Sequence, residues 1–214
     1  MLFGKIDYIN LAPFHVFIKH YIQNSQLKQS IEYKKSYPSR INRLFKTRKI
    51  DAAFISSVES KRGNFHCLDA GIIAHEEIRS VLVKRGMYLR DSESATSNAL
   101  AKMLGIEGEV VIGDKALKLW LQNPELYVDL AALWYERYRL PFVFARFCVN
   151  RNRCYYQKLI KKFLHTKVNV PHYLLQRYAR KRDIPLHEIK EYLNLVNYSI
   201  DNSARKSLKK FLRY

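Results

Sequence analysis

Four places along the chain put small polar residues where an apolar, strand-like run gives way to a helical period. They are Asn10; Ser56-Ser57 after Asp51-Ala-Ala-Phe-Ile55; Ser94-Ala-Thr-Ser97 before Asn98-Ala-Leu100; and Gly113-Asp114 after Val110-Val-Ile112. Ser, Thr, Asn and Asp are the favoured helix N-caps, so each position alone signals only a helix start. Together they describe a cleft lined with neutral donors, suited to a carboxylate ligand, because helix N-termini add unpaired N–H groups and a positive dipole end. Asn10 either caps the helix that Pro13 opens or faces the ligand, where an amide donates and accepts at once without adding charge. Asp114 is repulsive toward an anion, which favours a structural cap on the following helix with the Gly113 backbone nearer the cleft. Arg40, in Pro38-Ser-Arg40, either pairs with a substrate carboxylate or stays solvated in a first helical turn.

Other chemistries leave no pattern. His15, His20, His66 and His75 are scattered, and the sequence shows no paired carboxylates, metal-ligand cluster or glycine-rich nucleotide loop, so no metal and no cofactor is expected. Trp120, Trp134, Tyr135, Phe142 and Phe144 read as packing. The three cysteines, Cys67, Cys148 and Cys154, are odd in number and form no C-x-x-C pair. Neither a disulfide framework nor a zinc ribbon is expected, and a reducing cytoplasm fits best. The chain opens on no signal-peptide pattern, and no apolar run reaches about 18 residues, so neither export nor a membrane span is expected.

The net charge is +19 over 214 residues, and it is uneven: residues 146–214 hold 17 Lys/Arg against 4 Asp/Glu. Such a tail can bind nucleic acid or an anionic membrane. Its basic residues interleave with Leu, Phe, Tyr and Ile at helical spacing, however, as on a solvated helix face, and no specific nucleic-acid partner is expected.

The elements that must position these residues alternate. Strand-like runs at 4–9, 31–37, 50–55, 78–84, 109–112 and 141–149 are separated by helical runs at 13–23, 39–48, 95–104, 115–122 and 129–137. This is a β/α pattern, in which ligands gather beyond the carboxyl ends of the strands. From 153 onward only helical periodicity remains, broken near Pro171, Pro185 and 201–203.

The series Tyr8-Ile-Asn-Leu-Ala-Pro-Phe14, Tyr37-Pro-Ser-Arg-Ile-Asn42, Ile50-Asp-Ala-Ala-Phe-Ile-Ser-Ser57, Ile78-Arg-Ser-Val-Leu82, Ser94-Ala-Thr-Ser97, Ile112-Gly-Asp-Lys-Ala-Leu117 and Leu140-Pro-Phe-Val-Phe-Ala145 resembles the chorismate dehydratase family of the futalosine route to menaquinone. The match covers roughly the first 150 residues, and the basic tail adds nothing to it. Departures fall in the segment 84–93, shorter than the family's, and at Ala131, Ala132, Tyr138 and Arg139.

The resemblance implies a two-lobed, periplasmic-binding-protein-like (type II) α/β fold with the ligand cleft between the lobes. By it, 1–77 with 149–214 form one lobe and 78–148 the other; 79–84 cross outward, 142–148 cross back, and the carboxy-terminal helices pack on the first lobe. It further implies a cofactor-free lyase that removes water from chorismate, a small dicarboxylate, in the cytoplasm. Asn10 and Ser57 would be catalytic; Ser56, Ser80, Ser94, Thr96, Ser97, Gly113, Asp114 and Arg40 would bind substrate. A carboxylate of the substrate itself would take the proton. The competing readings are the later-acting lyase of the same pathway, a non-catalytic anion-binding protein, and a nucleic-acid-binding regulator.

Overall fold

The first strand, β1 (Phe3–Ile6), is buried along its whole length and runs into a 3₁₀ turn at Ile9–Leu11 and helix α1 (Ala12–Tyr21), with Pro13 in the first turn. This is the junction the sequence marks, since proline supplies a preset φ where its missing N–H costs nothing. The structure is a computed structural model, and it describes residues 2–86 and 94–213. In chain order there follow α2 (Ser25–Tyr33), β2 (Lys35–Ser36), α3 (Pro38–Lys46), β3 (Ala52–Ser56), α4 (Ser57–Arg62), β4 (His66–Ala74) and β5 (Val81–Arg85). Next come α5 (Ala95–Leu104), β6 (Gly108–Ile112), α6 (Gly113–Gln122), β7 (Tyr127–Asp129), α7 (Leu130–Tyr138) and β8 (Phe142–Val149). The tail holds α8 (Arg153–Leu164), α9 (His172–Arg182), α10 (Leu186–Leu195), β9 (Val196–Ser199) and α11 (Asn202–Arg213).

The strands form two sheets. One has six strands in the order β2-β1-β3-β8-β4-β9, and the other has three in the order β6-β5-β7. β1 pairs parallel with β2 and β3, whereas β8 runs antiparallel between β3 and β4. The inner strands carry near-continuous apolar runs because helices cover the sheet. Phe3, Phe14, Phe54, Phe147 and Phe163 interlock at the centre of the core, with ring centroids 5.0–6.0 Å apart. Trp134 packs edge-on against Phe142 and against Phe211 of α11, so these aromatics serve packing as expected.

The chain passes between the sheets at 75–80 and 139–141. The expected crossings are shorter than the sequence suggested: β5 lies wholly in the three-stranded sheet, and 142–148 lie wholly in the six-stranded one. Asp129 fastens the outgoing passage. One carboxylate oxygen accepts from the backbone N–H groups of Ile78 and Arg79, and the other caps α7 through Ala131 and Ala132. Burial pushes this carboxyl up, and the four donors work against that rise.

Several sequence expectations change. The run at 31–37 is strand only at Lys35–Ser36, which pair with β1, because α2 extends to Tyr33 and buries Ile31. β4 was missed because its pairing with β8 shifts register between Cys67 and Gly71, which erases the period of two. β9 was missed because it follows α10 with no turn signal, and only β4 makes it a strand. The expectation of no disulfide also fails: β4 and β8 place Cys67 opposite Cys148, Cα to Cα 3.9 Å, and the two are joined. They lie 81 residues apart, so spacing alone carried no sign of the pair. The tail does not pack on one sheet's layer only, since Lys118 of α6 meets Asp183 at 2.8 Å.

Candidate active site

Between the two sheets, beyond the carboxyl ends of β1 and β3, lies a cleft of about 90 Å³. Asn10, Ser56, Ser80, Ser94, Ser97 and Gly113 all face it, with Tyr8, Phe54, Ile72 and Phe144 as apolar walls. The volume is below the roughly 300–1,000 Å³ of typical small-molecule sites.

Asn10 is held by its neighbours rather than by a cap. The hydroxyl of Tyr198 donates to its backbone oxygen at 2.6 Å, and Asp114 Oδ1 accepts the adjacent Ile9 N–H at 2.9 Å. The Asn10 side-chain oxygen is buried, and no described protein group satisfies it. Asp114 is thus structural, though it does not cap its own helix: it reaches across to the Ile9 turn, and its other oxygen takes Arg182 Nε at 2.6 Å. Burial pushes the Asp114 carboxyl up, against the Ile9 N–H and Arg182.

At the second sheet, Ser94 caps α5. Its hydroxyl accepts from Ser97 N at 3.1 Å and donates to Ser97 Oγ at 2.7 Å, which leaves the Ser97 proton for the cleft. Gly113 has φ +69°, and a Cβ there would lie 2.7 Å from the Tyr8 ring, so only glycine lets α6 start this close to the wall. Its N–H donates to Ser80 O at 2.8 Å. Ser80 Oγ accepts from the Tyr192 hydroxyl at 2.9 Å.

Besides Asp114, three expected residues do not line the cleft. Ser57 does not line the cleft; its fully buried hydroxyl donates to Val143 O at 2.6 Å, while Ser56 caps α4. Thr96 Oγ1 accepts from Val58 N at 3.2 Å, tying α5 to α4. Arg40 is exposed on α3 and does not reach the cleft. The short family segment at 84–93 falls mostly among residues 87–93, outside the described residues.

Tyr192, Tyr198 and Arg182 were missed. All lie in the basic tail, and nothing local in 172–199 marks them; they reach the site only because α9, α10 and β9 fold back onto the Ile9–Leu11 turn. Among the described residues no group of three or more His, Cys, Asp or Glu is placed to hold a metal, and no helix is long and apolar enough to cross a membrane.

Two sheets with a polar cleft between them define the class of a periplasmic-binding-protein-like fold. The aliphatic sulphonate-binding protein SsuA of Escherichia coli superposes with TM-score 0.52 at 11% identity, covering 100% of this chain and 91% of that one. A protein of Archaeoglobus fulgidus superposes with TM-score 0.66 at 12% identity, over 99% and 94% of the two chains. The menaquinone biosynthesis family model matches residues 97–214. A chorismate dehydratase of Campylobacter jejuni is 47% identical over 215 residues, spanning 100% of this chain and 96% of that one. The chain belongs to this menaquinone-biosynthesis family of chorismate dehydratases. The kinship runs through the basic tail, which the motif series had left out.

Proposed function

We propose that the protein is a chorismate dehydratase, a cofactor-free lyase that eliminates water from chorismate to give 3-[(1-carboxyvinyl)oxy]benzoate for menaquinone biosynthesis. The observation that carries the site assignment is the buried, unsatisfied Asn10 oxygen beside the Ser97 hydroxyl in one cleft. The ring carbon bearing the ether loses a proton, its neighbour loses hydroxide, and together they leave as water while the ring becomes aromatic. The proton lost is conjugated through the ring alkene to the carboxylate, so negative charge develops there. The α5 N-terminus with Ser97 stabilises that charge, and loss of one such donor typically costs about 3 kcal/mol. A carboxylate of the substrate takes the ring proton and hands it to the departing hydroxyl, which leaves as water, and the Asn10 amide holds that hydroxyl in position.

The lobes close on the ligand, each built on one sheet. The division 1–77 with 149–214 against 78–148 is best moved at its return point, since β8 belongs to the six-stranded sheet. Compaction on adding chorismate, measured by solution scattering, is the expected sign of closure; no compaction would oppose it.

The test is turnover by purified protein stripped of metal and given chorismate alone, followed by chromatography of the benzoate product. Chelator should leave the rate unchanged. If only added metal or nucleotide restores turnover, the cofactor-free reading fails; if nothing does, anion binding without chemistry replaces it.

A further inference from the structure

The motif that carries Arg40 ends on Asn42, and helix α3 treats the two residues oppositely. Pro38 and Asn42 lie one helical turn apart on one face, and both line the cleft. Arg40, two residues from each and so rotated by roughly 200° around the helix, is exposed. Asn42 is only 7% exposed, and its amide has a fixed orientation. One end meets the backbone N–H of Ser56 at 3.3 Å, and because an N–H can only donate, that end is Oδ1. The other end is therefore the NH2. It meets no acceptor among the described residues, and the nitrogen is not sealed away from the cleft that Asn42 lines. Asn42 thus presents a buried, oriented and unused donor.

We propose that Asn42 is a substrate-binding residue whose NH2 donates to the carboxylate on the carboxyvinyl arm of chorismate. The proposal rests on the reading of this cleft as a chorismate site. Under that reading the α5 N-terminus and Ser97 hold the ring carboxylate from the side of the three-stranded sheet. Asn42 approaches from the other side, because α3 packs on β1 and β3 of the six-stranded sheet, and so it meets the second carboxylate. An arginine there would pair more tightly but would hold the carboxylate ionised. A neutral amide donates without fixing the charge, which leaves a carboxylate of the substrate able to pick up and release a proton. A ligand that lacks the arm carboxylate leaves this donor unpaired in a buried place, so Asn42 selects for dicarboxylates.

The experiment is Asn42→Asp, read by kinetics on chorismate, by thermal unfolding and by inhibition with two ligands. Aspartate keeps the size of Asn42 and still accepts the Ser56 N–H, but it has no hydrogen to give and sets a negative charge against the arm. The variant should lower kcat/KM at least about tenfold, chiefly through KM, with the unfolding midpoint within a few degrees of the parent. Inhibition by 3-[(1-carboxyvinyl)oxy]benzoate should weaken at least about tenfold, and inhibition by 3-methoxybenzoate, which keeps the ring carboxylate and lacks the arm's, less than about threefold. If Asn42 only braces Ser56, the variant keeps parental kinetics, and that result overturns the proposal; so does an equal loss of inhibition by both ligands. Asn10→Ala and Ser97→Ala, assayed alongside, separate the two readings. Impairment there beside a parental Asn42→Asp overturns the proposal alone, whereas parental kinetics in those two overturn the site reading and the proposal with it. Should Asn42→Asp fail to fold, or 3-methoxybenzoate fail to inhibit, a crystal structure of the parent with 3-[(1-carboxyvinyl)oxy]benzoate decides. An arm-carboxylate oxygen within about 3.5 Å of Asn42 Nδ2 supports the proposal, and a greater distance overturns it.

Discussion

At the end of β1 the chain turns through Asn10, and at the end of β3 it turns through Ser56 and Ser57; both are polar junctions at the carboxyl ends of parallel strands, just before helices. Their atoms are spent differently. The Ser57 hydroxyl is committed to Val143 O, and Ser56 accepts from Glu59 N at 3.4 Å. Around Asn10 the backbone groups are the ones committed, to Tyr198 and to Asp114, while the side-chain oxygen is left open. A buried polar atom without a partner costs about 1–3 kcal/mol, and under the proposed function a bound substrate relieves that cost at Asn10. Residue type alone does not separate the two junctions; the use already made of each atom does.

Removing the open group should have the largest effect. Asn10→Ala is expected to lower kcat on the order of 10²-fold with an intact fold, checked by steady-state turnover beside circular dichroism. A near-parental rate would erase the distinction between the junctions.

Asp114→Asn tests whether the support matters as well as the open atom. Loss of the Arg182 ion pair should lower stability by about 1–3 kcal/mol, less than a fully buried pair because Arg182 is partly exposed. Turnover should fall about tenfold as the Ile9–Leu11 turn loosens. Chemical denaturation and kinetics on one preparation separate the two effects, and an unchanged rate at lowered stability would show that Asn10 needs no such anchor.

Ser57→Ala should behave in the opposite way to Asn10→Ala. Stranding the Val143 carbonyl should cost about 1–2 kcal/mol, seen as a drop of roughly 2–8 °C in the unfolding midpoint, with kcat within about twofold of the parent. A large loss of turnover at unchanged midpoint would instead make Ser57 a site residue.

The smallest expected effect concerns Asp7, whose backbone oxygen accepts from Arg182 at 2.7 Å behind the Asn10 turn. Burial works to raise its carboxyl, but the hydrogen bond from Lys35, with Lys5 and Lys181 nearby, outweighs burial and holds it below the usual carboxylate range. A carboxyl lowered in the folded state stabilises it above the unfolded pKa of about 4, and that contribution is lost as pH falls through the folded value. The unfolding midpoint should therefore decline below about pH 4, and Asp7→Asn should flatten that limb. An identical acid limb in the variant would remove Asp7 from the account.

The alternation of strands and helices up to about residue 150 was legible because it rests on local periodicity and on junction residues that act within a few positions of themselves. Asn10, Ser56, Ser94, Ser97 and Gly113 announced themselves in this way, and the structure brings them to one cleft. The Cys67–Cys148 bond, β4, β9 and the roles of Tyr192, Tyr198 and Arg182 were not legible, because each depends on a partner far away in sequence: Tyr192 lies 112 positions from Ser80 and Tyr198 lies 188 from Asn10. The sequence by itself determined which residues could donate and accept near a helix start. Only the tertiary structure decided which of those atoms were already spent, since hydrogen-bond saturation is a property of neighbours in space, and a chain folding back on itself chooses those neighbours.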